Sequence, residues 1–369
     1  MIESRIQSIR EIMSEKGIDA LMVLIDENRR YLSGFTGEDH QFDESAGALL
    51  ITTDALVLAT DSRFELQAAK ESPLYEVVIY PKGLAKELHS LASRLNIRKL
   101  GFESVRVSVK QYETYKKELA DAGSRVDLVP VDDIVEQFRQ IKSSEEIDRT
   151  RKALDLAEAV YIEVVKSLRP GMTEKQISWA MERRMREAGA DNLSFPVIVA
   201  AGPNSALPHA IPTDRPVAQS EPILFDWGAK LGGYCSDTSR TVILGEPDDL
   251  FLQVFNTVLE AQRLAIESLR AGASSKAVDA IARDYIASKG YGDKFGHGLG
   301  HGTGLAVHEG PRLSPLKETE LAAGMLVTVE PGIYIPEWGG VRIENQVVVG
   351  QDGPVVLNRL STTYDIQQI

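Results

Sequence analysis

Three short apolar runs, Ala20–Ile25, Ala48–Ile51 and Ala55–Ala59, stand early in the chain between polar or glycine-containing segments, and their lengths predict buried strands. From Leu84 to Leu95 the apolar residues fall three and four apart, the period of a helix packed along one side. Arg125–Val131 closes this alternating region with another extended stretch. Its two histidines, His40 and His89, stand alone, so the region reads as a structural or substrate-gating domain. The loop Phe35–Ser45 is long and polar, and two expectations stand equally for it: reaching toward an active site, its own or a partner's, or simply being solvated. A polar segment, Phe138–Ile147, then leads into a long helix pattern ending at Leu168, which places a domain boundary at about residue 135: one domain over 1–134, a second over 135–369.

The second domain repeats itself. Ser167-Leu-Arg-Pro-Gly171 opens a segment that runs to Gly189, and Ser268-Leu-Arg-Ala-Gly272 opens one that runs to Gly290, an offset of 101 residues at both ends. In the first copy Thr173 and Gln176 form a capping-box pattern ahead of the stripe Ile177, Ala180, Met181, Met185, Ala188. In the second, Val278, Ile281, Ala282 and Tyr285 mark the equivalent stripe. Each copy is followed by a strand hairpin bearing two carboxylates. Asp226 and Asp237 lie in Ile223–Leu244, and folding about Leu231–Gly232 sets them opposite each other. Glu330 and Glu344 flank the Pro336–Gly340 turn of Leu326–Val349. Helix plus acid-bearing hairpin, twice, predicts a duplicated α+β half with a site at the pseudo-two-fold.

Composition adds limits. Hydrophobic content of 43% and charged content of 26% over 369 residues are ordinary for a globular chain with room for two domains. A net charge of −13 argues against a nucleic-acid surface or an anionic membrane as partner. The single cysteine, Cys235, excludes an intrachain disulfide framework and fits a reducing compartment. The N-terminal stretch Met1–Met13 is amphipathic and lacks the apolar run of a signal peptide. No stretch approaches the roughly 18 apolar residues of a spanning helix, so a cytoplasmic protein is expected.

Four carboxylates converging at mid-strand require either shared protons or a cation. The segment between the hairpins selects the cation. In Phe295-Gly-His-Gly-Leu-Gly-His-Gly-Thr-Gly-Leu-Ala-Val-His-Glu-Gly-Pro311, glycine holds positions 296, 298, 300, 302 and 304. An extended chain there has one bare face and sends His297 and His301 to the other, with His308 seven residues on. No His-Glu-x-x-His, G-x-G-x-x-G or G-x-S-x-G pattern competes. Cys235 reads as a small buried thiol, not a nucleophile.

These motifs, with Val-Glu-Pro-Gly-Ile-Tyr334, resemble the pita-bread metallopeptidases, which include methionine aminopeptidase, aminopeptidase P and prolidase. The likeness covers essentially the whole chain: Arg30-Tyr-Leu-Ser-Gly-Phe-Thr-Gly37 and Thr60-Asp-Ser-Arg-Phe64 resemble the creatinase-like N-terminal domain of the Xaa-Pro branch, which methionine aminopeptidases lack. The resemblance implies an α+β protein: a creatinase-like α/β domain, serving oligomerisation or gating, then a duplicated pita-bread catalytic domain. It implies hydrolysis of the bond between an N-terminal residue and a following proline, by an aminopeptidase P or a dipeptidase, and a homodimer. It implies two divalent ions, manganese or cobalt before zinc: Asp226 on one, His301 and Glu330 on the other, Asp237 and Glu344 bridging. Glu330 is the implied general base and His308 the donor to the oxyanion or substrate amide. The resemblance further implies that His209, His297 and Arg342 contact substrate and that Tyr334 and Arg342 support the carboxylates. Ser239 and Asn345 depart from the threonine and aspartate usual at their places, which bears on metal tuning. Creatinase shares the fold without the ligand set, and non-catalytic relatives usually have eroded ligands. The remaining alternatives are a metal-binding scaffold without turnover and a methionine-aminopeptidase-like specificity.

Overall fold

In the computed structural model residues 2–39, 41 and 44–369 are described; of the loop singled out above, His40, Phe42 and Asp43 lie outside them. The chain divides into two compact units, Met1–Arg139 and Gln140–Ile369.

The first unit is built on one mixed sheet of six strands, β1 (Ala20–Val23), β2 (Ala48–Thr52), β3 (Leu56–Thr60), β4 (Glu76–Ile79), β5 (Lys99–Glu103) and β6 (Asp127–Val131), in the order β4-β3-β2-β1-β5-β6. β1, β2 and nearly all of β3 are buried at every position, which explains their unbroken apolar runs: the sheet is covered on both faces. Helices α1 (Ile2–Lys16), α2 (Asp26–Ser33), α3 (Glu65–Glu71), α4 (Leu84–Arg94) and α5 (Val109–Asp121) accompany it, and Leu88 and Leu91 of α4 with Tyr115 and Leu119 of α5 pack on one face. A short helix, α6 (Glu136–Arg139), ends the unit, tied by Asn28, which donates to Glu136 and accepts from Arg139.

The second unit begins with α7 (Ser144–Lys166), whose start carries a capping box between Ser143 and Glu146. The repeat is visible in the backbone. Helices α8 (Glu174–Glu187) and α10 (Ser275–Ser288) start on side-chain caps at Thr173 and Ser274, 101 residues apart. Gly171, Gly189, Gly272 and Gly290 bound the two copies with φ of +92°, +100°, +82° and +88°, values at which a side chain is strained. Between them lie the strands β7 (Asn192–Leu193), β8 (Ile198–Ala201), β9 (Pro222–Trp227), β10 (Ala229–Leu231), β11 (Tyr234–Cys235) and β12 (Thr238–Ile243), then helix α9 (Asp249–Ser268). After α10 come β13 (Gly300–Gly302), β14 (Glu309–Leu313), β15 (Leu326–Val329), β16 (Gly332–Ile335), β17 (Gly339–Arg342), β18 (Asn345–Val349) and β19 (Pro354–Val356). The order β12-β9-β8 in the first half is matched by β18-β15-β13 in the second.

Each half has its own core. Tyr161 of α7 stacks on Trp227 of β9 at 4.2 Å in the first, while Val254, Val258, Ala261 and Ala265 of α9 pack under Val327, Val329 and Ile343 in the second. The halves join where their hairpins meet: Glu344 N donates to Ser239 O (3.0 Å), and the buried Arg240 reaches both Ser239 O (2.9 Å) and Glu344 O (2.5 Å). The remaining donors of Arg240 go to Asn345, Leu360 O and Ser361 O, so the departure at Asn345 meets a cation behind the strands.

Candidate metal centre

The first hairpin departs from the expected register. Lys230 pairs with Cys235 and Leu231 with Tyr234, so the turn is Gly232–Gly233, with φ of +58° and +84°. Two positive φ values in a two-residue loop are what a type I′ hairpin turn demands, and two adjacent glycines supply them without strain. This moves the pivot by one residue and the pairing by two: Asp226 faces Ser239, not Asp237. The ladder breaks beside Gly228, where an added Cβ would lie 1.9 Å from Ser236 O, and Asp237 sits just outside β12. The two aspartates are neighbours without a head-on contact.

The second hairpin does set its acids face to face. Val329 pairs with Asn345 and Gly332 with Arg342, so the same register runs straight through and puts Glu330 opposite Glu344.

Of residues 296–304 only Gly300–Gly302 is strand, and Leu299 goes into the core, so the fully extended run expected from the alternation is not formed. The close approaches are real. A Cβ at Gly300 would lie 2.0 Å from Thr328 O and one at Gly302 2.0 Å from Gly310 O. This packing delivers His301, whose Nε2 stands 3.4 Å from Glu330 Oε1 and 3.6 Å from Asp237 Oδ2. His308 is exposed, its ring edge-on to that of His301 at 4.4 Å. His209, also exposed, follows Pro208, whose carbonyl accepts from Arg342 (3.2 Å). His297 has both nitrogens engaged: Nδ1 lies 2.8 Å from Gly298 O and Nε2 2.9 Å from the Tyr334 hydroxyl. Since a carbonyl only accepts, Nδ1 carries the proton and Tyr334 donates to Nε2.

Arg342 ties these parts together. It donates to Asp226 Oδ2 (2.7 Å), the Tyr334 hydroxyl (2.8 Å) and Ser239 Oγ (2.8 Å), and Ser239 in turn donates to Glu344 Oε2 (2.7 Å). The departure at Ser239 thus keeps the hydroxyl that touches a candidate ligand. Asp237 is aimed by Gln346, whose side-chain oxygen accepts from Asp237 N while its amide donates to Thr303.

The donor set fits a cation. Desolvation, then the mutual repulsion of the acids, pushes Asp237 and Glu344 well above the usual carboxylate range, and burial raises Glu330 to about 7. Burial raises Asp226 despite its Arg342 partner, and its Oδ1 is buried with no hydrogen-bond partner among the described residues. His301 is held neutral, near 3, by burial, and because its Nδ1 donates to Gly302 O (3.0 Å) the lone pair of Nε2 faces the acids. Ligand atoms of Asp237, His301 and Glu344 lie within 4.8 Å of one another. Lone pairs converging from oxygen and imidazole nitrogen match the ligand chemistry of borderline divalent ions.

Arg312 was not singled out from sequence. It pairs with His301 across β13–β14, on the same face, and its charge acts on His301, His308 and Glu330. Its position eleven residues after His301 carries no signal until the bulge between His301 and Gly302 is known.

Among known proteins, the model of metallopeptidase family M24 matches residues 148–351 and that of the creatinase/prolidase N-terminal domain residues 5–141. The Xaa-Pro dipeptidase of Pyrococcus horikoshii is 34% identical, over 96% of this chain and 96% of its own. Among solved structures, the Xaa-Pro dipeptidase from Bacillus anthracis superposes with a TM-score of 0.92 at 37% identity, covering 98% of this chain and 99% of that one. The X-Pro aminopeptidase from Thermotoga maritima gives 0.87 at 37% identity, covering 97% and 98%. The chain belongs to metallopeptidase family M24, in its aminopeptidase P/prolidase branch with a creatinase-type N-terminal domain.

Proposed function

We propose that this member of family M24 is a metal-dependent exopeptidase that cleaves the bond between an N-terminal residue and a following proline. The observation that supports it most is that ligand atoms of Asp237, His301 and Glu344 lie within 4.8 Å of one another, with Glu330 Oε1 3.4 Å from the His301 Nε2 that carries the lone pair. In this reading Asp226 would hold one ion and His301 and Glu330 the other, with Asp237 and Glu344 shared between them; manganese or cobalt would suit the oxygen-dominated set ahead of zinc. Bound there, such ions would supply a nucleophilic water at neutral pH and polarise the scissile carbonyl. Glu330 accepts the proton of the attacking water and returns it to the departing proline nitrogen. His308, exposed beside His301, donates to the oxygen on which charge develops. His209 lines the approach. His297 is committed to Tyr334 and reaches substrate only if that bond is released, so its work is to buttress Arg342.

Substrate length turns on Arg312. Arg312 is a cation on the His301 face, where the free carboxylate of a dipeptide would meet it. Of the two structural relatives, one is named a dipeptidase and one an aminopeptidase. The assay is to load chelator-stripped protein with Mn(II), Co(II) or Zn(II) and offer Xaa-Pro, Xaa-Pro-Yaa and Met-initiated peptides without proline. Release from Xaa-Pro, with a KM that rises in Arg312→Met more than the tripeptide's does, supports a dipeptidase. Equal release from Xaa-Pro-Yaa supports an aminopeptidase, and no release with any metal leaves only a metal-binding scaffold.

The first unit is assigned, in the same reading, to gating and to formation of a homodimer, in the cytoplasm. Among the described residues no helix is long and apolar enough to cross a membrane. If deleting residues 36–45 leaves dipeptide and tripeptide turnover unchanged, the loop is no gate.

A further inference from the structure

The second hairpin has a fault at its most important point. With Glu330 opposite Glu344, the next pair along is Pro331 and Ile343. The amides of both glutamates turn outward, Glu330 N to Leu299 O (2.8 Å) and Glu344 N to Ser239 O (3.0 Å). Along an antiparallel ladder such outward residues alternate with inward ones, so the flanking carbonyls of Val329 and Ile343 turn toward the partner strand. Ile343 O then meets a proline, which has no N–H to give. A buried carbonyl without a donor is costly, and a ladder missing a rung can splay.

A side chain from another element fills the gap. Gln262 of α9, only 2% exposed, stands among the apolar residues Val258, Ala261 and Ala265. Its Nε2 donates to Val329 O and to Ile343 O, both at 3.0 Å. These are the carbonyls immediately before Glu330 and Glu344. One planar carboxamide therefore clamps the two strands at the residues from which both glutamates spring. We propose that Gln262 is a positioning residue for the metal centre, setting the spacing of Glu330 and Glu344 by replacing the rung that Pro331 cannot supply. The inference rests on the reading of these glutamates as metal ligands. Groups that hold ligands in place usually cost roughly 10–100-fold in metal affinity when removed.

The test is a two-residue cycle on the full chain. Gln262→Met keeps the length and apolar packing of the side chain and removes the donors; Pro331→Ala returns an N–H facing Ile343 O. Mn(II) affinity is measured by calorimetry on chelator-stripped protein, and exchange of the Glu330 and Glu344 amides is followed in the metal-free chain. Gln262→Met is expected to weaken Mn(II) binding roughly 10–100-fold and to speed exchange at both amides. Adding Pro331→Ala is expected to recover most of that loss. An unchanged Mn(II) affinity in folded Gln262→Met, or losses that simply add in the double variant, overturns the proposal. Should Gln262→Met not fold, recovery of a folded, Mn(II)-binding chain in the double variant supports it and failure to recover overturns it. A parent chain that binds no Mn(II) overturns the metal reading itself, and this proposal with it.

Discussion

The two acid-bearing hairpins come from equivalent places in a duplicated unit, yet they handle repulsion between like charges differently. In the first, the two-glycine turn shifts the register so that Asp226 faces Ser239, and Arg342 from the other half neutralises Asp226 at 2.7 Å. In the second, a three-residue turn at Pro336–Trp338 leaves Glu330 directly opposite Glu344, and among the described residues no arginine donates to either carboxylate; Glu344 is met by the Ser239 hydroxyl and Glu330 by that of Thr328 (3.2 Å). The first hairpin thus has one of its two acids, Asp226, compensated from across the interface between the halves. The second keeps its charge mismatch open, which is the state a cation can relieve. The asymmetry predicts that the chemistry depends most on the glutamate hairpin and the metal-free fold most on the aspartate hairpin with its arginine.

The largest expected effect tests the first half of that statement. Glu330→Gln removes a proton acceptor while keeping shape, and should lower kcat on Xaa-Pro substrate by about 10²–10⁴-fold, the usual contribution of general acid–base groups. Unfolding midpoints should hold or rise, because one of the mutually repelling buried acids is gone. Near-normal turnover would remove Glu330 from the reaction and break the comparison.

Arg342→Met tests the other half. The pair with Asp226 is almost fully enclosed, with side chains 3% and 15% exposed, and loss of one partner leaves an uncompensated charge. Breaking such a pair costs about 3–5 kcal/mol, with the lower end expected here because Asp226 can take up a proton. Urea unfolding of the metal-free variant reads this directly. If the loss is no greater than for a surface arginine, the aspartate hairpin is not held by its ion pair.

The pH response reports on the uncompensated acids of both hairpins, with a smaller effect. In the metal-free chain Glu330 binds its proton up to about 7, while an unfolded glutamate releases it near 4.5. Asp237 and Glu344 are raised in the same direction. A raised carboxyl contributes stability that is complete below the unfolded value and is lost as pH climbs through the folded one. The urea midpoint of metal-free protein should therefore fall between about pH 4.5 and 7, the fall should be shallower in Glu330→Gln, and Mn(II) should abolish it. A midpoint that rises across this window in both proteins would mean the acids are compensated without metal.

How much of this could be read in advance follows from where each signal lies. The acid pairs, His301 and the repeat were legible because their motifs are local: a carboxylate inside an apolar run, glycine at every second position, caps 101 residues apart. The register of the first hairpin was not, since Leu231-Gly232-Gly233 admits two pivots and only the backbone shows that both glycines have positive φ. Gln262 and Arg240 were invisible for another reason. Their partners are mainly backbone carbonyls 67 and 81 residues away for Gln262, and up to 121 away for Arg240, and a carbonyl has no sequence identity. Arg312 needed the bulge in β13–β14 to be placed.

The smallest expected effect bears on that register. At Gly232 an added Cβ meets nothing within 4 Å, so any cost of substitution there comes from φ of +58° alone. Asparagine tolerates this region, whereas a β-branched residue does not. Gly232→Asn should stay within a few tenths of a kcal/mol of the parent, about what a solvent-facing change gives. Gly232→Val should lose about 1–2 kcal/mol, the usual penalty for a left-handed residue with a Cβ. The informative quantity is what accompanies the loss. If the turn pins the offset that keeps Asp237 clear of Asp226, Gly232→Val should also weaken Mn(II) binding, because slipping the pairing by one residue would turn the acids to opposite faces. Valine costing stability but no metal affinity would mean that the register is held from the far end, by Arg342 and Ser239, and that the turn merely follows.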